Sequence, residues 1–257
     1  MPDILDRTTL APGPDEPITL DINLATQQTI EKLLQQYGDI IKINNQKDQG
    51  LSYIITNPDA LKHILISNHG NYIKGPGFER VKMLLGNGII VSDGDFWRRQ
   101  RTMIQPAFSK NNILQLCEMM KVATQNLIPH WKQKAASGEA IDITTEMSEF
   151  ALEVILRALL SDDFDPLVAE HGGNPYDFLT DDATRDLALA MRFRQTGKLI
   201  QKIIDTRRKK NLERGDLLGT MMAATDKAGN AMSDKELIDE VMTMIIAGHE
   251  TTGGTLN

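Results

Sequence analysis

The stretch Val241-Met242-Thr243-Met244-Ile245-Ile246-Ala247-Gly248-His249-Glu250-Thr251-Thr252 decides how this chain is read. Its first half is apolar on nearly every side of a helix, and such a helix needs burial all round. The second half breaks that pattern. Ala247-Gly248 leaves a groove free of side chains, at a cost of about 1 kcal/mol for glycine relative to alanine. Thr251 and Thr252 can hydrogen-bond to carbonyls one turn back, which loosens the helical ladder. Glu250 sets a carboxylate beside the Thr251 hydroxyl, a pair able to deliver protons to a bound ligand. The same residues also suit a kinked helix whose buried Glu is satisfied by a neighbour. A zinc-hydrolase helix is excluded, because the position four residues after His249 is Gly253.

Upstream, Ser233-Asp234-Lys235-Glu236 fits a capping box and starts the last helix, which the pattern carries over residues 233–257. Helical periodicity also covers 95–105, 111–136, 144–160, 182–212 and 216–224, with Asn111-Asn112 as N-cap candidates. Gly- and Pro-bearing loops are expected over 162–175 and 227–232. Nearer the N-terminus, a helix is predicted over 24–37 with Gly38 as its C-cap. Strands over 39–44 and 51–56 read as a hairpin, and Pro58 opens a helix with Leu61, Ile64 and Leu65 on one face. Pro12-Gly13-Pro14 and Pro17 preclude a regular element there. The fold class is mainly α, a helical bundle with a small N-terminal β-sheet, in a single domain.

A second constellation, Trp97-Arg98-Arg99-Gln100-Arg101, lies on the helix predicted over 95–105. Trp97 and Arg101 are four apart and share a face. An indole N–H beside a guanidinium is a donor-only pair suited to carboxylates. The spacing equally suits a surface helix whose Trp packs and whose arginines are solvated.

The 257 residues carry a formal charge of −7, with 41% hydrophobic and 25% charged residues, the mix of an ordinary globular protein. Disorder, collagen and disulfide scaffolds are thereby excluded. An acidic chain with only 5% aromatics has no global attraction for phosphate and no stacking platform, which disfavours nucleic acid while leaving local basic stripes open. Cys117 is the single cysteine, so no intrachain disulfide can form and a reducing compartment is the easier reading. The N-terminus lacks the basic and apolar runs of a signal peptide, and no apolar run reaches the roughly 18–20 residues of a membrane span. A cytoplasmic protein without a membrane anchor is expected.

The two constellations, their order and their separation resemble the cytochrome P-450 family of heme-thiolate monooxygenases. Trp97 and Arg101 fit its W-x-x-x-R motif, and residues 247–252 fit its A/G-G-x-D/E-T-T/S motif. The resemblance implies heme b as cofactor, with Trp97 and Arg101 on the propionates and Ala247 and Gly248 shaping an oxygen groove. It implies Glu250 and Thr251 as the acid–alcohol pair of a proton relay, and Ile89, Ile90 and Ile246 facing an apolar substrate. Fatty acids, alkanes and terpenoids are the substrate classes it suggests, with dioxygen as co-substrate. Arg98, Arg99 and Lys110 could dock a ferredoxin or flavodoxin-type electron donor, or simply carry solubilising charge. Residues 162–182 should hold a shortened form of the helix and loop that lid the pocket.

The family's axial cysteine and its E-x-x-R motif lie downstream of the 247–252 motif, and neither occurs in this sequence. Cys117 is not the ligand. Helical spacing groups it with Ile113, Leu114, Met120 and Leu127, so a buried structural cysteine is expected. The expectation is an N-terminal part of a longer product or a truncated gene. The rival is a non-catalytic helical scaffold that has lost the heme thiolate.

Overall fold

A computed structural model of the chain describes residues 11–18, 24–45, 50–75, 77–180 and 187–257. The chain divides into two compact units, residues 1–73 and 74–257.

In the first unit, helix α1 (Leu24–Tyr37) stops at Gly38, whose φ of 90° suits glycine. Strands β1 (Ile40–Asn45) and β2 (Gly50–Ile55) follow as the expected antiparallel hairpin, with Ile41 opposite Ile54. Ile41 and Ile43 point to one side, as alternate strand residues must, and pack with Leu33 of α1 into a small core. The Pro-rich segment forms no helix. It lies along β1, where the Pro12 carbonyl accepts the Lys42 N–H and the Asn44 carbonyl accepts the Ile18 N–H, both at 2.9 Å. Asn57 caps α2 (Pro58–Lys62), its Oδ1 accepting the Ala60 N–H at 2.9 Å. The face predicted from Leu61, Ile64 and Leu65 is not a core face: Leu61 and Leu65 are exposed, and the chain passes into a π-helical turn at His63–Ser67.

The second unit is helical: α3 (Gly77–Leu85), α4 (Gly94–Ile104), α5 (Lys110–Ser137), α6 (Ile143–Leu160), α7 (Phe164–His171), α8 (Leu187–Lys209), α9 (Leu217–Ala223) and α10 (Asp234–Leu256). The capping box on α10 is present, with Ser233 and Glu236 each satisfying the other's backbone. Two helices stand where the periodicity showed none, although the family resemblance implies a short helix within 162–182. α3 carries too few buried residues for a periodic signal, Leu85 being buried while Met83 and Leu84 are exposed. α7 occupies the loop expected over 162–175; it is anchored by Phe164 and Leu167 and closed by Gly172 at φ 69°. The start of the helix predicted from residue 182 lies outside the described residues.

Two expectations about α5 are corrected. It starts at Lys110 with Ser109 at the N-cap, so Asn111-Asn112 lie inside it. Cys117 is exposed, as are Ile113, Leu114 and Met120. The buried line of α5 is Leu116 and Ala123, seven residues apart, and Cys117 stands about 100° round the helix from it.

The centre of the unit is the pairing of α6 with α10. Leu152, Leu156, Leu159 and Leu160 of α6 meet Leu237, Val241 and Ile245 of α10 in one core. The two run antiparallel, since Gly248 lies against Ile155, Gly253 against Ser148, and Asn257 accepts the Thr144 hydroxyl at 3.0 Å. Gly248 has a packing reason for lacking a side chain: an added Cβ would sit 2.8 Å from Ile155 Cγ1. A buried ion cluster ties α8 to α9. Arg207 donates to both Asp216 oxygens, at 2.8 and 2.6 Å, and to Asp163 at 2.6 Å, while Asp216 caps α9 through the Gly219 N–H.

Candidate functional site

α10 is enclosed on all sides over residues 240–245 and opens to water on one side beyond them. Residues 240–245 are buried, Ala247 and Gly248 are half-buried, and Glu250, Thr251 and Thr252 are exposed. At that transition a cavity of about 310 Å³ opens between three segments. The loop after α3 contributes Ile89 and Ile90. α4 contributes Arg101 and Ile104, and the 3₁₀ turn that follows it adds Gln105 and Phe108. α10 closes the wall with Thr243, Met244 and Ala247. Residues from both sequence constellations, over 140 positions apart at Arg101 and Ala247, thus meet on one apolar-walled space.

Each singled-out residue has a definite place. Ile89, Ile90, Arg101 and Ala247 line the cavity. Arg101 is exposed and makes no hydrogen bond or ion pair among the described residues, leaving five N–H donors at the cavity mouth for an anionic group. Trp97, one turn earlier on α4, is half-buried, and its indole N–H is likewise without a partner among the described residues. Ile246 packs against the central core rather than lining the cavity, and Gly248 faces Ile155. Thr251 stands one turn beyond Ala247, its hydroxyl donating to the Ala247 carbonyl at 2.8 Å. Glu250 is exposed, so the buried carboxylate anticipated at this position is not found there. His249 is buried instead, its Nε2 within 2.8 Å of Ser148 Oγ on α6, and burial lowers its pKa.

Arg98 and Arg99 differ sharply. Arg98 is exposed and pairs with Asp95 at 2.6 Å. Arg99 is tied down: it bonds Asp226 at 2.8 Å, Glu236 at 2.7 Å and the Ala231 carbonyl at 3.1 Å. It therefore locks α4 to the start of α10 and is no free docking charge. Two larger concavities, about 740 and 550 Å³, hold none of the motif residues.

The sequence pattern missed Ile104, Phe108 and Thr243 as wall residues, since nothing in a helical repeat distinguishes a cavity wall from a core contact. It also missed the acid pair Asp239-Glu240. Asp239 Oδ2 accepts the Asn87 N–H and Glu240 Oε2 accepts the Ile89 N–H, each at 2.9 Å. Two consecutive acids directly before the largely apolar run 241–246 were the available signal, because a charge is buried only at a cost. Burial, with Asp239 and Glu236 nearby, pushes the Glu240 carboxyl up to about 7.

The family model described as Cytochrome P450 matches residues 19–172 and 174–257. Cyclooctatin synthase of Streptomyces melanosporofaciens is 30% identical over 270 residues, which cover 97% of this chain and 57% of that protein. Pentalenene oxygenase of Streptomyces avermitilis is 25% identical over 238 residues, covering 87% of this chain and 52% of that protein. A cytochrome P450 crystal structure superposes with a TM-score of 0.77 at 21% identity, over 95% of this chain and 57% of that one, a likeness of fold. The chain spans about half the length of the curated relatives it matches. With the family model matched over nearly all of its residues, the chain belongs to the cytochrome P450 family.

Proposed function

We propose that this chain forms the oxygen- and substrate-facing half of a heme-dependent monooxygenase that inserts one atom of dioxygen into an apolar small molecule of the terpenoid class. The observation that carries the reading is the convergence of Ile89, Ile90, Arg101 and Ala247 on a single apolar-walled cavity. Such a volume, walled by apolar groups with a few polar ones, suits a small hydrophobic ligand. Relatives named for such chemistry, among them a cyclooctat-9-en-7-ol 5-monooxygenase and a pentalenene oxygenase, support the chemistry and the substrate class.

The residues present fit a heme edge. Arg101, with no protein partner among the described residues, and Trp97 on the same helix face supply donors for propionate carboxylates. Bound heme would supply the activation of dioxygen. Ala247 keeps the α10 wall of the cavity free of bulk. Glu250, exposed to water, takes up a proton, and the Thr251 hydroxyl passes it toward the cavity by exchanging its bond to the Ala247 carbonyl. Ile89 and Ile90 exclude water from the substrate. Electrons come from a ferredoxin or flavodoxin-type donor. Among the described residues no helix is long and apolar enough to cross a membrane.

The test is a hemin titration of the chain followed at the Soret band. Specific binding should weaken roughly tenfold in Arg101→Ala, about the effect of one lost charge-assisted contact. Equal affinity in wild type and variant would refute the assignment of Arg101. A hemin Soret band that does not shift on adding the chain would refute the heme-edge assignment of both Trp97 and Arg101.

A further inference from the structure

The segment Gly86-Asn87-Gly88-Ile89 lies against α10 closely enough that side chains are forbidden at two of its positions. A Cβ on Gly88 would sit 2.1 Å from Thr243 Oγ1 and 2.7 Å from the Asp239 carbonyl, and one on Gly86 would meet the Asp239 carboxylate. Into this contact α10 directs two acids, Asp239 onto the Asn87 N–H and Glu240 onto the Ile89 N–H. Asp239 is steadied by Lys235 at 2.6 Å. Glu240 is fully buried, and its other oxygen, Oε1, has no hydrogen-bond partner among the described residues. A buried carboxylate with one of its two oxygens unpaired contributes little as a stability device, because an uncompensated buried charge is costly. What it does achieve is placement: the residue whose amide it holds is the one that begins the cavity wall.

We propose that Glu240 is a positioning residue, whose carboxylate holds the Ile89 amide and so sets Ile89 and Ile90 in the wall of the 310 Å³ cavity, making ligand affinity follow its ionisation. The proposal rests on the reading of that cavity as the substrate side. Among the described residues, the charges acting on Glu240 are Asp239 and Glu236, both on α10, and both favour its neutral form. Those two are in turn paired, Asp239 with Lys235 and Glu236 with Arg99 of α4. With the carboxyl pushed up to about 7, Glu240 is neutral below that pH and anionic above it. A carboxylate is the stronger acceptor for an N–H, so the segment is held more firmly as the pH rises through about 7.

The test uses isotope-labelled chain, with toluene as the apolar probe. The Ile89 amide proton should shift with a midpoint near neutrality in wild type, stay flat in Glu240→Gln, and shift at a lower pH in Asp239→Asn, which removes one of the charges favouring the neutral form. The wild-type titration is informative whether or not a variant folds. Toluene affinity should strengthen roughly threefold or more from about pH 6 to about pH 8 in wild type, and be independent of pH in Glu240→Gln. An Ile89 amide that does not titrate, or that titrates unchanged in Glu240→Gln, overturns the proposal. So does a toluene affinity that ignores pH in wild type. Failure of toluene to bind at any pH refutes the cavity reading first, and the proposal with it.

Discussion

Replacing Gly248 by alanine places a methyl group where α10 touches α6. Its carbon would lie 2.8 Å from Ile155 Cγ1, 2.9 Å from Cδ1 and 3.3 Å from Cβ. Carbon pairs settle at about 3.5–4.0 Å, so Ile155 must move by more than half an ångström or the helices must part. Two terms oppose each other. Alanine favours the helix by about 1 kcal/mol over glycine. Overpacking a fitted contact costs about 1–3 kcal/mol. The net expectation is a loss of up to about 2 kcal/mol in urea unfolding. Removing the obstruction should reverse the sign. In an Ile155→Ala background the two closest atoms are gone, and Gly248→Ala should then stabilise by up to about 1 kcal/mol. The double-mutant cycle therefore predicts a favourable coupling of about 1–3 kcal/mol. Additivity within about 0.5 kcal/mol would refute the packing account. In that case, a Gly248→Ala variant that gains stability but binds toluene more weakly would place the glycine on the cavity side.

Two other predictions concern charges. Glu146 of α6 accepts Lys134 at 2.8 Å, His130 at 3.0 Å and the Trp131 indole at 3.2 Å, all on α5, and the Lys134 bond leads in pulling its carboxyl down to about 2. Its contribution is present above its ordinary pKa of 4.5 and is lost as the pH falls through about 2. At about 1.4 kcal/mol per pH unit, that separation is worth up to about 3 kcal/mol. Glu146→Gln should therefore lower stability at neutral pH by that order while changing it little at about pH 2; an unchanged acid limb in urea titrations would refute the assignment. Arg207→Met leaves Asp216 buried without its cation and should cost about 3–5 kcal/mol in thermal unfolding. Arg207→Met with Asp216→Asn, which keeps a capping oxygen, should cost clearly less. Equal losses would show that the pairing is not what matters.

The helices and the hairpin were legible wherever one face of an element is buried along its whole length. α6 and α10 carry apolar residues at almost every inward position, and β1 alternates Ile41 and Ile43 inward. The capping box at Ser233 was legible because its signals are local. α3 and α7 were not, because each is short, nine and eight residues, and buries only one or two of them, too few to make a period. Cys117 was misplaced for a related reason. α5 is long but buries only Leu116 and Ala123, and its other apolar residues do not mark an inner face.

By itself the sequence determined the helical class, the N-terminal hairpin, and the two motifs that carry the family resemblance, since propensity, caps and spacing act within a few residues. It also determined that Trp97 and Arg101 share a face, a consequence of 3.6 residues per turn. Only the tertiary structure decided which motif residues meet. Arg101 and Ala247 share a cavity because α4 and α10 are locked together by Arg99 with Asp226 and Glu236, ion pairs between positions far apart in the chain. Only the tertiary structure, too, moved the buried carboxylate from Glu250 to Glu240. Both stand on the same helix, but the surroundings of α10 enclose residues 240–245 and leave Glu250 open to water, and burial is a property of neighbours that helical spacing does not record.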